Sequence, residues 1–300
     1  MQNNSANTQK ILFIINPVSG EIDKTGFKNL VNSDKYSHII PESYMTTGKN
    51  DIERIEDIIH RNTFDKLCAV GGDGTFNLVA RVSLNTKIPM GYVPMGTANG
   101  MAMELRIPNN LHRALGILIR GKKQPLDILR INQKHISVHY SDIGANARVM
   151  KRFERERKGG FRGYIKQYFK EIMQLEKTHF SVNIDEDKTY KKTTMVILAN
   201  ASMLGTGAVI NPLGSSNDGK FEVIILKRFP KWFFLVIIAY SLFGNLNKLK
   251  YIKTIQCERV SVTTHKKQQL QIDGEPIDDV NKVSAEIIPG GIHVICPPLR

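Results

Sequence analysis

The stretch GGDGT at residues 71–75 stands between an apolar run, DKLCAV at 65–70, and a helix-compatible segment, FNLVARVSL at 76–84. Glycines at such a turn let the backbone approach a phosphate closely, and the following helix N-terminus supplies unpaired N–H groups and the positive end of a dipole. Parallel sheets also bind their ligands at loops of this kind. GGDGT is therefore a candidate phosphate-binding loop. The alternative is a tight strand-to-helix turn in which Asp73 is the helix N-cap.

The same order of strand, loop and helix occurs on both sides of this stretch. KILFII at 10–15 ends in NPVSG at 16–20, and Ile88 to Val93 is followed by PMGTANG at 94–100. Asp51 to Arg61 carries isoleucines at helical spacing. Strands that alternate with helices predict a parallel sheet whose loops share one edge, so the N-terminal part belongs to the α/β class.

The pattern of predicted secondary structure changes near residue 130. Short strand candidates with turn signals between them predict an antiparallel β-sandwich, interrupted by one long helical region. These candidates are Ile136 to Ser141, Phe180 to Ile184, Thr193 to Ala199, Phe221 to Leu226, Arg259 to Thr264 and Gln269 to Ile272. We therefore predict an α/β domain over residues 1–130 and a β-sandwich domain over 131–290. A final strand in 291–300 could return to the first domain.

The 300-residue chain is strongly basic, with 42 Lys and Arg against 28 Asp and Glu, a formal net charge of +14 and a pI near 9.6. This charge favours an anionic partner, whether nucleic acid, a phosphorylated small molecule or an acidic lipid surface. Cys68, Cys257 and Cys296 are far apart and lack CxxC spacing, so the sequence supports neither a disulfide framework nor a cysteine zinc site. They fit a reducing cytoplasm.

Two segments concern membranes. MQNNSANTQK at 1–10 has no apolar core, so we expect a frayed tail and not a signal peptide. The longest apolar stretch, WFFLVIIAYSLF at 232–243, is about twelve residues long, whereas a helix needs roughly 20 to span a bilayer. It is therefore a core helix or an interfacial one.

Other phosphate and metal motifs are incomplete in this sequence. GILIRGKK at 116–123 has the spacing of a Walker A loop but ends in lysine where serine or threonine should bind Mg²⁺. GGDGT does not complete GxGxxG, and the HRD and DFG triplets of protein kinases do not occur. The eight histidines form no HExxH or comparable cluster.

Five motifs, taken in order, resemble those of the diacylglycerol kinase catalytic-domain family, to which bacterial lipid kinases and the sphingosine and ceramide kinases belong. They are NPVSG at 16–20, GGDGT at 71–75, PMGTAN at 94–99, NDG at 217–219 and DGEP at 273–276. The resemblance runs from about Ile11 to the C-terminus. It implies an α/β nucleotide-binding domain related to those of NAD kinase and 6-phosphofructokinase, joined to a C-terminal β-sandwich domain that takes the acceptor.

The resemblance also implies that the first domain binds ATP. The implied nucleotide-binding residues are Asn16, Thr46, Gly71, Gly72, Asp73, Gly74, Thr75, Asn77 and Thr97. Thr47 matches the family's threonine nearly as well as Thr46, so both alternatives stay open. One position departs from the family: many members carry an acidic residue where this chain has Gly100, which removes a carboxylate beside the phosphates.

Bound Mg²⁺ is implied at two places. An acid beside a phosphate is explained if Asp73 helps to hold the Mg²⁺ of the nucleotide. The family also holds a structural Mg²⁺ in its second domain, and the matching motif assigns it to the Asp218 side chain and the backbone carbonyls of Ser215 and Lys220. Without the resemblance, NDG at 217–219 is only a hairpin turn signal.

Transfer of a phosphoryl group to an alcohol needs a base near the hydroxyl as its proton leaves. The resemblance assigns this role to Glu275, with Asp73 as the second catalytic residue. The alternative is a solvated turn that carries Asp273 and Glu275 on its surface. Asp127 interrupts an apolar segment near the domain boundary, and a buried acid there would need a partner.

Basic and aromatic residues alternate from Arg148 to Thr178, which holds ten Lys and Arg and four Asp and Glu. A basic helix with an apolar stripe is attracted to an anionic membrane surface. The alternative is a solvated helix that packs its aromatic stripe on the sandwich. Because the apolar stretch at 232–243 is also flanked by lysines and arginine, two elements of one domain favour docking to a membrane surface.

Together these features predict a cytoplasmic, peripherally membrane-associated kinase that transfers the γ-phosphate of Mg²⁺-ATP to a hydroxyl of a lipid such as diacylglycerol. The alternatives are a kinase of a soluble acceptor and an inactive nucleotide- or lipid-binding protein, the latter prompted by Gly100. A nucleic-acid-binding protein is disfavoured because no helix-turn-helix, RRM or KH signature occurs. An edge strand of the sandwich could pair two subunits into a homodimer.

Overall fold

The chain divides into two compact units in the computed structural model, which describes residues 8–20, 24–144, 178–184, 187–203, 209–230 and 232–298. Unit 1 comprises Met1–Leu126 and Gly291–Arg300, and unit 2 comprises Asp127–Gly290. The basic segment from Arg148 to Thr178 lies outside the described residues except for its last residue.

Unit 1 is built on a parallel sheet. Its strands are β1 (Gln9–Ile15), β2 (Ile39–Met45), β3 (Lys66–Gly71), β4 (Met90–Pro94) and the C-terminal end of β13 (Glu275–Cys296). Their order is β2-β1-β3-β4-β13, and every pairing is parallel, the last through Val294 and Met90. β1 and β3 are buried apolar runs because helices cover a parallel sheet on both faces.

The helices of unit 1 follow the strands. They are α1 (Lys24–Val31), α2 (Asp51–Arg61), α3 (Asp73–Thr86), α4 (Gly100–Glu104) and α5 (Leu111–Arg120). The ring of Phe76 on α3 packs edge-on against Tyr92 of β4, with the ring centroids 5.0 Å apart. α3 begins at Asp73, three residues before the segment that the sequence marked as helical, because extended Gly72 is the N-cap and its carbonyl accepts from Phe76 N at 3.0 Å.

Unit 2 is antiparallel. Its strands are β5 (Lys122–Ile131), which starts in unit 1, β6 (His135–Ser137), β7 (Tyr140–Gly144), β8 (Thr178–Asn183), β9 (Asp187–Ala199), β10 (Phe221–Lys227), β11 (Ile252–Cys257), β12 (Arg259–Ile272) and most of β13. They follow the order β11-β10-β9-β7-β12-β13, with β8 paired to β9 and β12, and β5 paired to β6. The strand candidates at 259–264 and 269–272 form one strand, because a register shift against β13 between Thr263 and Gln268 lets the chain continue.

Two apolar clusters form the core of unit 2. The larger one joins residues of β7, β8, β9, β10, β12 and β13, among them the fully buried Phe180, Phe221 and Val262. The smaller one collects Ile197, Ile224 and their neighbours, and the described part of helix α6 (Phe233–Leu242) packs against it. In β12, every second residue from Val260 to Thr264 is buried, which explains the alternation of apolar and polar residues at the start of this strand.

Candidate functional site

Four loops of unit 1 begin at the same edge of the parallel sheet. Each loop starts where a strand ends, and the ladder of backbone hydrogen bonds continues one residue into three of them. The donors and acceptors are Asn16 N to Val70 O (3.0 Å), Thr46 N to Ile15 O (2.9 Å) and Met95 N to Gly71 O (2.7 Å). The loops that carry Asn16, Thr46, GGDGT and Thr97 are therefore neighbours at the carboxyl ends of the strands.

Two of these loops touch through glycines. A Cβ on Gly96 would lie 2.5 Å from Gly72 Cα, a distance that real Cβ atoms essentially never show. A third loop closes in the same way, because Gly20 has a φ of +64° and a Cβ there would lie 2.1 Å from Met95 O. The backbones of NPVSG, GGDGT and PMGTAN thus approach one another as closely as only glycine allows.

The Asp73 carboxylate joins the second and third motifs. Its two oxygens accept from Gly100 N at 2.9 Å and Met101 N at 3.0 Å, which are the first two N–H groups of α4. A helix leaves these donors without an intrahelical partner, so a carboxylate here is stabilised by both N–H groups. Gly72, and not Asp73, is the N-cap of α3, so the interpretation of Asp73 as the N-cap of α3 is wrong.

Asn99 shapes the PMGTAN loop. It is buried, has a left-handed φ of 51°, and accepts from Gly96 N through Oδ1 while its Nδ2 donates to Gly96 O, both at 2.9 Å. Tyr92 OH also donates to Asn99 Oδ1, at 3.4 Å. Burial and the nearby Asp73 carboxylate raise the pKa of Tyr92, so its phenol keeps the proton it donates. The loop is folded on itself and leaves Thr97 exposed at its tip.

The two threonines after β2 have different surroundings. Buried Asp51 accepts from Tyr44 OH (2.6 Å), Thr47 N (2.9 Å), Thr47 Oγ1 (3.0 Å) and Gly48 N (2.8 Å). Burial alone would raise the pKa of Asp51, but these four hydrogen bonds outweigh it and lower the pKa. The Thr47 hydroxyl is thus held by Asp51, whereas the Thr46 hydroxyl bonds to none of the described residues.

The remaining residues assigned to the nucleotide differ in exposure. Gly74 is exposed, and Asn16 is half-buried, with its Oδ1 accepting from Val18 N at 3.1 Å. Thr75 and Asn77 are buried within the first two turns of α3. Asn77 Oδ1 accepts from Arg81 Nε at 3.0 Å, and Thr75 Oγ1 has no partner among the described residues. The sequence did not distinguish the exposed members of the set from the buried ones.

Asp127, in unit 2, has the partner that a buried acid needs. Its two oxygens accept from Gly219 N and Gly290 N, each at 2.7 Å, and its own N–H donates to Ser216 O at 2.8 Å. The side chain is only 2% exposed. Asp127 therefore ties the turn that contains NDG to the residue at the unit boundary, Gly290.

The residues assigned to a structural Mg²⁺ lie on that same turn. Asp218 Oδ1 accepts from Lys220 N at 3.1 Å, and Oδ2 accepts from Gln256 Nε2 at 3.2 Å. Gln256 Nε2 also donates to buried Glu222 at 3.1 Å, and burial raises the pKa of that carboxyl although hydrogen bonds from Asn211 and Gln256 oppose the change. The Asp218 side chain is exposed and each oxygen accepts one hydrogen bond, so a lone pair is free for a cation.

The donor set fits Mg²⁺ in its chemistry, since one carboxylate and the carbonyls of Ser215 and Lys220 supply only oxygen. Within the described ranges, no three His, Cys, Asp or Glu side chains form a cluster that could hold a metal ion. A cation on this turn would therefore depend on backbone carbonyls and water for most of its ligands.

The DGEP motif is a hairpin turn with two different acids. Asp273 (φ 48°) and Gly274 (φ 93°) connect β12 to β13 as a two-residue turn with both φ values positive, the type I′ pattern. The Asp273 carboxylate accepts from Ser137 Oγ and from the N–H groups of Val138, His139 and Tyr140, at 2.7–3.0 Å. Glu275 is exposed, and its carboxylate bonds to none of the described residues.

Comparison with known proteins places both units in known families. Residues 10–131 match the diacylglycerol kinase catalytic domain model, and residues 140–296 match the YegS C-terminal NAD kinase beta sandwich-like domain model. The predicted fold class, an α/β domain followed by a β-sandwich domain, is confirmed.

Relatives and solved structures agree with the two models. The chain is 25% identical over 275 residues to a diacylglycerol kinase of Bacillus subtilis, covering 87% of this chain and 88% of the relative. It is 26% identical over 240 residues to a probable lipid kinase YegS-like of Pectobacterium atrosepticum, covering 78% and 79%. A crystal structure of a diacylglycerol kinase from Bacillus anthracis has the same fold, with a TM-score of 0.75, 17% identity and coverage of 97% of both chains.

The glycine contact between the second and third motifs makes a stability prediction. Gly96→Ala should destabilise the protein by about 1–3 kcal/mol, because the new methyl group overlaps the Gly72 backbone, which cannot rotate away. The free energy of unfolding from urea denaturation measures the effect.

Gly116→Ala is the matched control. Its added Cβ meets only the flexible end of Arg120, at 3.0 Å, and alanine is favoured over glycine by up to about 1 kcal/mol inside a helix such as α5. The two substitutions should therefore shift the urea midpoint in opposite directions. Equal stability of Gly96→Ala and the parent would contradict the close approach of the two loops.

Proposed function

The chain belongs to the diacylglycerol kinase catalytic domain family, a family of lipid kinases, and on this premise we propose that it transfers the γ-phosphate of Mg²⁺-ATP to a hydroxyl group of diacylglycerol or a similar lipid. The observation that supports the proposal best is the convergence of three glycine loops at one edge of a parallel sheet. Where no side chain covers the backbone, its N–H groups can bind a polyphosphate at close range.

The proposed ATP site uses the polar groups of these loops. The N-terminus of α3 offers the N–H groups of Asp73, Gly74 and Thr75, none of which has an intrahelical acceptor. Exposed Thr97 and the unbonded hydroxyl of Thr46 are hydroxyl donors for phosphate oxygens. We assign Asn16 to the same site because its loop packs against Met95 through Ser19 Oγ, which donates to Met95 O at 3.2 Å.

Asp73 has two functions in this proposal. Its carboxylate stabilises α4, and each oxygen keeps a lone pair beside the phosphate loop after accepting one N–H. Mg²⁺, when bound with the nucleotide, neutralises charge on the phosphates. Asp73 would hold that ion without help from a second carboxylate at position 100, where this chain has glycine.

Glu275 is the proposed proton acceptor. It is exposed and bonds to none of the described residues, whereas the carboxylate of Asp273, two residues earlier, accepts four hydrogen bonds. An acid that stabilises a turn cannot take up a proton without loss of those bonds, but a free carboxylate can. We therefore assign the removal of the acceptor's hydroxyl proton to Glu275 and the positioning of the turn to Asp273.

A lipid acceptor brings the protein to a membrane surface. None of the helices in the described part of the chain has both the length and the apolar character to cross a bilayer. Cys68, Cys257 and Cys296 are buried free thiols, which fits our proposal that the kinase acts at the cytoplasmic side of the membrane, where thiols stay reduced. The Arg148 to Thr178 cluster stays a prediction because residues 145–177 are not described.

The acceptor is tested by supplying labelled ATP and Mg²⁺ with diacylglycerol in vesicles of phosphatidylcholine and phosphatidylglycerol, and in parallel with glycerol. Label in the phosphorylated lipid is the expected result. Transfer to glycerol without transfer to lipid would assign the enzyme to soluble acceptors. ATP binding with no transfer to either acceptor would favour the non-catalytic alternative.

Substitution of the two threonines after β2 tests the nucleotide assignment. Thr46→Ala should raise the KM for ATP about two- to tenfold, the cost of one hydrogen bond, with an unchanged free energy of unfolding. Thr47→Ala should show the reverse, a loss of about 1 kcal/mol of stability, because its hydroxyl bonds to Asp51. A larger KM effect at Thr47 than at Thr46 would move the assignment by one residue.

Glu275→Gln tests the proton acceptor. The amide keeps the size of the side chain but cannot take up a proton, so kcat should fall by about 10²-fold or more while the KM for ATP changes little. Asp278→Asn is the control, since Asp278 is exposed on the same strand and bonds to no other residue in the described part of the chain. If kcat of Glu275→Gln equals that of the control, Glu275 has no part in proton transfer.

A further inference from the structure

Eight of the ten residues of helix α6 are apolar, all except Tyr240 and Ser241, although a helix at the surface of a folded protein usually has a broad polar face. Phe233, Val236 and Ile237 on its inner side pack against the smaller apolar cluster of unit 2. That contact accounts for one face of the helix. The apolar residues on the opposite side need a different explanation.

The outer face of α6 consists of Trp232, Leu235, Ala239 and Phe243, which follow one another at spacings of three, four and four residues. Trp232 is 68% exposed, Leu235 69% and Phe243 79%. Residues at these spacings form one continuous stripe on a helix. Three large apolar side chains so close together on an exposed helix are unlike singly scattered apolar residues, which need no explanation.

The chain segments that flank this helix in sequence carry basic residues and no acidic ones. Residues 223–257 contain six basic residues and no acidic one. Five of the six are described and exposed, two before the helix and three after it: Lys227, Arg228, Lys248, Lys250 and Lys253. None of the five pairs with a carboxylate of the described residues. The apolar stripe is therefore flanked in sequence by exposed cations on both sides.

We propose that the outer face of α6 inserts into the interfacial layer of an anionic lipid bilayer, with the flanking lysines and arginine at the level of the lipid phosphates. A ten-residue helix is about 15 Å long, too short to cross a bilayer but long enough to lie in its surface. Tryptophan and phenylalanine are residues that favour the boundary between acyl chains and head groups. Unit 2 covers the inner face of α6, so this helix needs no polar face of its own.

The charge pattern favours lipid over the other occupants of an apolar stripe. A second copy of the chain would bring the same cations against one another, which costs free energy. A protein partner would need acidic residues around an apolar groove. An anionic bilayer supplies both an apolar layer and a sheet of negative charge, and each basic residue near it adds to the attraction. The choice of lipid also rests on the proposed function, because a lipid kinase must reach its acceptor in a membrane.

Trp232 allows insertion to be measured directly, since it is the chain's only tryptophan. With vesicles of phosphatidylcholine and phosphatidylglycerol, its fluorescence should shift to shorter wavelength and be quenched by brominated acyl chains. Vesicles of phosphatidylcholine alone, or high salt, should give much weaker binding because the attraction of the lysines is screened. Unchanged emission in the presence of anionic vesicles would overturn the proposal.

The double variant Leu235→Ser with Phe243→Ser removes the stripe and leaves Trp232 as the reporter. Because both side chains are exposed, thermal unfolding should be unchanged, while the vesicle partition coefficient should fall about tenfold or more. Leu213→Ser is the matched control, since Leu213 is an apolar residue of unit 2 that is 70% exposed outside the stripe. Equal partitioning of the double variant and the control would refute insertion of α6.

Two further measurements distinguish lipid docking by α6 from dimerisation through this helix and from the proposed kinase function. A lipid-free emission shift that grows with protein concentration, together with a doubled mass in light scattering, would identify a second copy as the occupant and contradict lipid docking. Kinase assays with short-chain diacylglycerol below its micelle concentration test catalysis without a surface. The double variant should phosphorylate this short-chain acceptor at the wild-type rate but lose its activity on vesicles. If the wild-type protein binds vesicles but phosphorylates neither the short-chain acceptor nor the lipid in vesicles, the proposed function is rejected while docking by α6 is retained.

Discussion

The contact between the backbones of Gly72 and Gly96 is the constraint on which the proposed nucleotide site depends. With a side chain at Gly96, the GGDGT and PMGTAN loops could not approach to the distance at which Asp73 reaches the first N–H groups of α4. Without that bond, α4, which has only five residues, would lose the partner of its first donors. The glycines of the motif therefore serve the packing of protein loops as much as the approach of a phosphate. Both uses need the same property, a backbone that no Cβ covers.

Carboxylates that accept backbone N–H groups fix the loops of both units in one recurring way. Asp51, Asp73, Asp127 and Asp273 each accept at least two backbone N–H groups from a segment other than their own helix or strand. A charged acid that leaves water must regain its hydrogen bonds, and backbone donors in a turn supply several at fixed positions. An acid whose place in a motif suggests catalysis can therefore have a structural role, that of holding a loop in place. Glu275 differs from all four because it is exposed and its carboxylate bonds to none of the described residues, so a chemical role is preferred for it.

The sequence predicts what depends on local pattern and misses what depends on distant contacts. Apolar runs that end in Gly or Pro mark β1, β3 and β4 and the loops after them, because strand burial and turn conformation are local properties. The start of α3 at Asp73 was missed since glycine is a poor helix former, and only the whole loop shows that Gly72 is the cap. The hydrogen bonds of Asp273 to Val138 and His139 join residues more than 130 positions apart, so no motif could reveal them. The different surroundings of Thr46 and Thr47 depend likewise on the fold around Asp51.

A net charge of +14 does not identify the anionic partner by itself; the residues that surround the charges must also be considered. Nucleic acid is bound by cations among polar and hydrogen-bonding groups, and an exposed Trp232, Leu235 and Phe243 would gain little from a phosphate backbone. An ATP site needs few cations beyond its metal, and the loops of unit 1 supply mainly N–H groups and hydroxyls. The cations around α6 differ from both cases because they border an apolar stripe and have no acidic neighbours in the chain from 223 to 257. Only a surface that is apolar within and anionic at its boundary is complementary to both features at once, and a lipid bilayer with acidic head groups is such a surface.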